Sequence, residues 1–174
     1  MSSSSPRLRI YADTCVYLDL IVKNLVPHPD TQEPRWVAAK ALFDAVNDNR
    51  VVLAASALTD AELRCVAAIK DHSGRVMAQV QGWLAAEDTQ WVDLDRTLAR
   101  EAERLTKEWH VRRADPAKRL RTADAIHLAA AARLKCDYLM THDDGFPIGH
   151  EVEGVRVVRP MRLWEKTLFD AESA

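Results

Sequence analysis

Short apolar runs alternate with helical patterns along almost the entire chain. The run at 50–55 shows no alternation of polar and apolar residues, which is typical of a strand buried on both faces. Strands that are separated by helices pair in parallel through right-handed crossovers. The alternation therefore predicts an α/β fold with a central parallel sheet. As an example of the helical patterns, apolar residues recur at helical spacing within 35–48, which predicts an amphipathic helix; they are Trp36, Ala39, Leu42, Phe43 and Val46.

The predicted elements follow one another in a regular order. A chain of 174 residues is most naturally one domain, which we expect to span 7–160. A flexible tail at 1–6 precedes it, and a C-terminal helical extension at 161–174 packs on the same domain. The segment 24–34 holds three prolines and is predicted to be a loop. Strands are expected at 8–12, 50–55, 91–94, 137–140 and 155–158, and helices at 14–23, 35–48, 58–70, 74–86, around 98–105 and at 123–134.

The composition indicates a soluble globular protein, with 48% hydrophobic and 29% charged residues. No apolar run approaches the ~20 residues of a membrane span, and the first residues lack the apolar core of a signal peptide. Cys15, Cys65 and Cys136 have no metal-type spacing and are predicted to be small buried thiols in a reducing compartment. We therefore expect a cytoplasmic protein with no membrane partner.

Four acidic residues lie where predicted strands end or helices begin. Asp13 directly follows the first strand, Glu62 follows the second after a short loop and a helical turn, and Asp143 follows a later strand. Asp124 opens an alanine-rich helix. Because the carboxyl ends of parallel strands share one edge, these carboxylates are expected to meet there. Unpaired carboxylates repel one another, and their pKa values rise, unless a cation joins them. An oxygen-rich, histidine-poor set suits Mg²⁺ or Mn²⁺, whose usual partners are phosphates.

Each acid also has a local structural interpretation. Asp13 can be the N-cap of the helix that follows it, and 59–62 fits a capping box that would give Glu62 a structural role. Asp124 can favour the helix dipole in a first turn capped by Thr122, and Asp143 precedes a glycine-containing turn. For each residue alone the local role is sufficient, and only their joint placement at one edge favours a site.

Other catalytic centres find little support in the sequence. It contains no closely spaced His/Cys set for zinc and no G-x-S-x-G element. Its five glycines form no P-loop and no dinucleotide-binding fingerprint. His127 lies three residues after Asp124 on the same helical face, and His142 precedes Asp143, so either can touch a site. The five tryptophans are predicted to be mainly core or interface residues.

A basic run precedes Asp124. The net charge of −2 disfavours a simple basic nucleic-acid binder but is compatible with a nuclease that carries acids at its centre. Within 112–121, five basic residues accompany one acid. A solvated loop is the simpler interpretation of such a run, and a clamp on a nucleic-acid backbone is the functional one. The basic residues are Arg112, Arg113, Lys118, Arg119 and Arg121.

Four segments resemble those of the PIN domain family, and within it the VapC-like toxin ribonucleases. Their order and spacing agree over roughly 8–160. The last segment resembles a T-x-D-x-x-F ending, which selects Asp143 rather than its neighbour Asp144. The loop at 24–34 and the part after Pro160 make this chain longer than compact family members. The four segments are 10–14 (IYADT), 56–63 (SALTDAEL), 122–129 (TADAIHLA) and 139–146 (LMTHDDGF).

The resemblance implies a PIN-like three-layer α/β/α fold with a central parallel sheet of four to five strands. It also implies an endoribonuclease that uses Mg²⁺ or Mn²⁺, with Asp13, Glu62, Asp124 and Asp143 as catalytic acids. Asp13 and Asp124 would hold the metal most directly, and Thr141 would orient a water or a carboxylate.

The expected partners follow from the same resemblance. They are single-stranded or looped RNA, a cognate antitoxin protein and a second copy of the chain in a homodimer. Two alternatives stay open at this point: a PIN nuclease of RNA processing or repair outside a toxin system, and a non-catalytic RNA-binding PIN-like module. The presence of all four acids disfavours the second.

Overall fold

The computed structural model describes residues 7–70, 74–112 and 119–166, except for the side chains of 67–70, 111–112 and 166. In chain order the elements are β1 (Leu8–Ala12), α1 (Thr14–Ile21), α2 (Arg35–Asn47), β2 (Val51–Ser56), α3 (Ala57–Lys70), α4 (Arg75–Leu84), β3 (Gln90–Val92), α5 (Arg96–Arg112), α6 (Thr122–Arg133), β4 (Tyr138–Met140), β5 (Glu151–Val152), β6 (Val155–Val158) and α7 (Leu163–Lys166).

The strands of the described residues form one sheet in the order β3-β2-β1-β4-β6-β5. β1 lies inside the sheet and pairs in parallel with β2 on one side and with β4 on the other. β3 and β6 extend the parallel part, and β5 runs antiparallel to β6. The chain leaves β1 toward β2 and later returns to its other side at β4. The carboxyl end of β1 therefore lies at the crevice where the strand order reverses.

Side chains of β1 alternate between two hydrophobic cores, one on each face of the sheet. Tyr11 packs into a core that it shares with α5 and α6. Ile10 and Ala12 pack into a second core, which includes residues of α1, α2 and α4. Helices therefore cover both faces of the sheet, and the predicted three-layer α/β/α fold is confirmed.

Helix α6 is held between the sheet and α5. Three consecutive alanines at 129–131 are buried, and their small side chains let the backbones of neighbouring elements approach closely. Helix α5 meets α6 with an apolar stripe at helical spacing, which includes Leu98, Ala102 and Leu105. This packing places the N-terminal turn of α6, which carries Asp124, at the carboxyl edge of the sheet.

Two features of the sheet edge and its connections differ from the prediction. Helix α3 begins at Ala57 directly after β2, so the expected short loop before Glu62 is absent. Strand β5 was not predicted. It joins β6 through a two-residue turn in which Glu153 and Gly154 have φ values of 51° and 84°, the conformation that matches the twist of a tight hairpin. The described sheet thus has six strands, one of them antiparallel, rather than four to five parallel strands.

Only part of each chain end belongs to the described residues. The predicted tail at 1–6 and residues 167–174 lie outside the described residues, and the domain limits stay a prediction. Trp164 of α7 is buried in the core that contains α1 and α2 residues.

Cys136 is buried and Cys15 half-buried, but Cys65 is exposed, so the prediction of three buried thiols is wrong for Cys65.

None of the helices in the described ranges combines the length and the apolar character that a bilayer span requires.

Candidate active site

A cleft of about 380 Å³ lies at the carboxyl edge of the sheet. Three neighbouring strands deliver residues to this edge: β1 ends before Asp13, β2 ends at Ser56, and β4 ends before Thr141. Helix α3 adds Glu62, and helix α6 adds Asp124 and His127. All four acids line the cleft, together with Thr14 and the ring of a histidine; the lining includes Asp13, Thr14, Glu62, Asp124, His127 and Asp143.

Asp13 is both a helix cap and a wall of the cleft. Its Oδ1 accepts a hydrogen bond of 2.7 Å from the Thr14 N–H, which caps α1 as the local interpretation predicted. Its Oδ2 accepts a hydrogen bond of 2.7 Å from the Thr141 hydroxyl, at the end of a strand 128 residues away in sequence. Thr141 is fully buried and also accepts from the Asp143 N–H at 3.0 Å. The threonine thus sets the orientation of the Asp13 carboxylate.

Glu62 does not act as a helix cap. Ser56 takes that position, because its hydroxyl accepts from the Thr59 N–H at 3.4 Å. The Glu62 carboxylate instead accepts a hydrogen bond from the Thr14 hydroxyl and lies 3.0 Å from His127 Nε2. Burial would raise the pKa of Glu62, but the hydrogen bonds from His127 and Thr14 outweigh it and hold the pKa below its usual value. The carboxylate is therefore charged in the cleft.

Asp124 is a buried acid with two other acids nearby. Its Oδ2 accepts from the Arg121 N–H at 3.0 Å, so it belongs to the first turn of α6, which begins at Thr122 rather than being capped by it. Burial raises the pKa of Asp124 to about 6, and the charges of Asp143 and Asp13 act in the same direction against the opposing Arg121 hydrogen bond. The residue is only 8% exposed. A cation beside Asp124 would relieve this repulsion.

The turn after β4 carries two acids that point to different surroundings. Asp143 lines the cleft, and its Oδ1 accepts from the Gly145 N–H at 2.7 Å. Asp144 pairs with Arg159 at 3.1 Å. A Cβ added to Gly145 would lie 2.9 Å from Asp124 Oδ2 and 3.0 Å from Asp143 Oδ1. The absence of a side chain at this position therefore allows the two carboxylates to sit on either side of the turn.

The donor set fits a hard divalent cation that keeps part of its hydration shell. Among the described residues, no three His, Cys, Asp or Glu side chains form a ready-made metal-binding group. Both oxygens of Asp13 accept hydrogen bonds from the protein, and so does Oε2 of Glu62. Magnesium sites commonly use one or two carboxylates and several waters, rather than a closed protein cage. The excess negative charge around Asp124 supports a cation of this kind.

His127 is the residue of the cleft that the sequence patterns underrated. Its buried ring lies between the Tyr11 hydroxyl, 2.8 Å from Nδ1, and the carboxylates of Glu62 and Asp13, which are 3.0 and 3.7 Å from Nε2. The spacing from Asp124 already placed it on the same helical face. The partners on β1 and α3 are distant in sequence, so no local pattern could identify them.

His142 lies outside the cleft. Its Nε2 is 3.4 Å from Asp19 Oδ2, and its ring stacks edge-on against His28. Burial lowers the pKa of His142 to about 3, with further contributions from the charges of Arg35, His28 and Arg159. The ring is therefore neutral and belongs to a buried polar cluster under the 24–34 loop.

Only part of the basic run can be located. Arg113 and Lys118 lie outside the described residues, as does the side chain of Arg112. Arg119 and Arg121 are exposed. The carbonyl oxygen of Arg119 is 3.4 Å from the position of a Cβ on Gly145, which places this backbone beside Asp124 and Asp143.

Comparison with known families agrees with this geometry. The family model of the PIN domain matches residues 10–148, which is most of the chain and includes all four acids. The chain belongs to the PIN domain family. No curated protein matches it significantly.

Solved structures share this fold at low sequence identity. VapBC2 from Rickettsia felis, bound to a DNA fragment from their promoter, matches with a TM-score of 0.55 and 15% identity, over 87% of this chain and 98% of the other. FitAB bound to an IR36 DNA fragment matches with a TM-score of 0.52 and 18% identity, over 88% and 96%. FitAcB from Neisseria gonorrhoeae matches with a TM-score of 0.50 and 22% identity, over 88% and 99%. The resemblance to the PIN domain that the sequence motifs predicted is confirmed.

Proposed function

We propose that this PIN domain is an endoribonuclease that depends on Mg²⁺ or Mn²⁺ and is the toxin of a toxin–antitoxin pair. The observation that carries the proposal is the convergence of Asp13, Glu62, Asp124 and Asp143 on one cleft at the carboxyl edge of the sheet. These acids come from four separate elements and loops, and helix capping alone does not require them to meet. A nuclease built on a bound cation does require it.

Asp13 and Asp124 are the residues that would hold the metal most directly. Glu62 and Asp143 would complete the charge balance through water molecules. When bound, the ion supplies Lewis-acid stabilisation of the phosphate and lowers the pKa of a bound water. Thr141 keeps the Asp13 carboxylate oriented, and Gly145 leaves room for Asp124 beside Asp143.

Single-stranded or looped RNA is the substrate that we propose. Its backbone is exposed, and its unstacked bases can stack. Arg119 and Arg121 are exposed, and the backbone carbonyl of Arg119 approaches Gly145 beside Asp124 and Asp143. We propose that the two arginines contact phosphates, together with Arg112, Arg113 and Lys118.

An antitoxin and a second copy of the chain are the proposed protein partners. The resemblance to VapC-like toxins supports the antitoxin, as does the likeness of the fold to VapBC2 and FitAB. A cleft lined by four acids offers a basic segment of a partner several charged acceptors. An Arg side chain entering it would pair with carboxylates that otherwise serve the cation.

The test is an RNA cleavage assay with the purified chain in Mg²⁺ or Mn²⁺, with and without excess EDTA. The intact protein should cleave, EDTA should abolish cleavage, and Asp13→Asn should lower the rate by about a hundredfold or more, since it weakens the site that supplies the nucleophile. Asp144→Asn is the matched control, because this neighbouring acid pairs with Arg159 rather than lining the cleft. Undiminished cleavage in EDTA, or equal rates for Asp13→Asn and Asp144→Asn, would contradict the proposal.

A further inference from the structure

A buried hydrogen-bond network adjoins the cleft on the side of Glu62. The Tyr11 hydroxyl lies 2.7 Å from Ser56 Oγ, 3.0 Å from Thr59 Oγ1 and 2.8 Å from His127 Nδ1. All four of these residues are at most 1% exposed. The network meets the cleft through the imidazole ring, whose other nitrogen faces Glu62 at 3.0 Å.

The partners define where the protons lie. An ionised carboxylate only accepts hydrogen bonds, so the 3.0 Å contact requires a proton on His127 Nε2. In the neutral ring this leaves Nδ1 as an acceptor for the single proton of the Tyr11 hydroxyl. The hydroxyls of Ser56 and Thr59 can both donate to the Tyr11 oxygen. Every polar group of the network is then satisfied in one arrangement, with Tyr11 donating to His127 and His127 donating to Glu62.

The network also ties two helices to the centre of the sheet. Thr59 and Glu62 are one turn apart on α3, and Asp124 and His127 are one turn apart on α6. On α3, Thr59 joins the buried network and Glu62 lines the cleft; on α6, Asp124 lines the cleft and His127 does both. The imidazole thus contacts the buried network through Nδ1 and a cleft acid through Nε2. The contact between His127 and Glu62 therefore connects the buried network to the cleft.

We propose that His127 and Tyr11 are positioning residues, which hold the Glu62 carboxylate in its place in the cleft through the hydrogen bond from His127 Nε2–H. Tyr11 fixes the rotation of the imidazole by donating to Nδ1. The Thr14 hydroxyl supports the same carboxylate oxygen from α1. This inference rests on the proposed function, since the position of Glu62 matters only if Glu62 serves the reaction.

Two amide substitutions test the two ring nitrogens of His127 separately. The amide of His127→Gln can reach the place of Nε2 and still donate to Glu62, whereas that of His127→Asn reaches only the place of Nδ1. We expect His127→Asn to lower the cleavage rate about 10–100-fold, the range typical of residues that orient a metal-site ligand. His127→Gln should stay within about threefold of the intact protein. Urea unfolding of both variants in EDTA measures any shared loss of stability.

A double-mutant cycle tests whether His127 acts through Glu62. In a Glu62→Ala background, His127→Asn should cause no further loss of activity, and Tyr11→Phe should add nothing to His127→Asn. Independent losses that multiply in the Glu62→Ala background would overturn the inference. So would a His127→Gln variant that folds normally and is as slow as His127→Asn.

A measurement without metal or RNA separates this inference from the proposed nuclease activity. Long-range ¹H–¹⁵N NMR spectra of the metal-free protein report which ring nitrogen of His127 carries a proton. We expect a protonated Nε2, with a signal that shifts in Glu62→Ala and in Tyr11→Phe. A proton on Nδ1 alone would overturn the inference even if the protein cleaves RNA. If the intact protein does not cleave RNA with either metal, the proposed function fails, and the NMR result then decides the hydrogen-bonded arrangement by itself.

Discussion

Replacing Asp124 by Asn should stabilise the metal-free protein, although it removes a residue proposed to bind the metal. An Asn side chain keeps an oxygen that can accept from the Arg121 N–H, so the first turn of α6 retains its hydrogen bond. The substitution removes the buried charge that Asp143 and Asp13 repel. The pKa of Asp124 in the folded chain is about 6, against an ordinary value of 3.8.

The size of the effect follows from that shift. A shift of about two pKa units corresponds to ~3 kcal/mol of lost folding free energy at high pH, at ~1.4 kcal/mol for each unit. The carboxylate borders an open cleft, where solvent and salt screen part of the repulsion, so ~1–2 kcal/mol is the expected gain. Because the folded pKa is raised, protonated Asp124 carries no penalty below about pH 4. The penalty develops as the pH rises from about 4 to about 6 and is nearly complete above that pH.

Urea unfolding in EDTA at pH 7.5 and pH 4.5, followed by circular dichroism, measures this gain. Asp124→Asn should exceed the intact protein at pH 7.5 and approach it at pH 4.5, while Asp144→Asn should show no such gain that grows with pH. Added Mg²⁺ should reverse the order, because a ligand bound to the folded state stabilises only the protein that binds it. If Asp124→Asn lowers stability equally at both pH values, the cap to Arg121 dominates and the charge argument is wrong.

Three further predictions concern the cleft and its partners. Gly145→Ala should lower the cleavage rate about a hundredfold while costing only ~1 kcal/mol of stability, because its Cβ would displace the Asp124 and Asp143 carboxylates; a full-rate variant in the cleavage assay would refute the spacing argument. Arg119→Ala with Arg121→Ala should weaken RNA binding and flatten its logarithmic salt dependence by up to about 1.4, at ~0.7 for each lost phosphate contact. Fluorescence anisotropy titrations over a salt series measure this, with Arg7→Ala and Arg50→Ala at the amino edge of the sheet as the charge-matched control. Asp143→Asn should weaken the antitoxin about tenfold or more in calorimetric titrations, as expected for a lost charged hydrogen bond; equal affinity would show that the partner binds elsewhere.

Periodicity and local chemistry predicted the fold because they act over short stretches. Strand β1 occupies 8–12 as expected, and α6 covers 122–133 where 123–134 was predicted. The meeting of the acids also followed from the sequence, since parallel strands bring their carboxyl ends to one edge. Strand β5 escaped prediction because two residues carry no periodicity, and only the Glu153–Gly154 turn marks it.

The roles of individual side chains were harder to predict when their partners are distant in sequence. The segment 59–62 matches a capping box, yet Glu62 binds Thr14 and His127, which are 48 and 65 residues away along the chain. The same holds for Thr141, for which the resemblance implied an orienting role but not that its partner is Asp13. Such contacts depend on tertiary packing, which no local pattern encodes.

The packing of α6 should make the proposed activity sensitive to changes at core residues that do not line the cleft. Asp124 and His127 lie in the first half of the helix and line the cleft, while the alanines at 129–131 lie in its second half and pack in the core. An added methyl group at Ala130 would clash with the surrounding core and displace α6. Asp124 and His127 would move with the helix. Substitutions in this part of the core would therefore impair cleavage before they unfold the protein. In a survey of inactive variants, substitutions at 129–131 should appear beside those of the cleft residues.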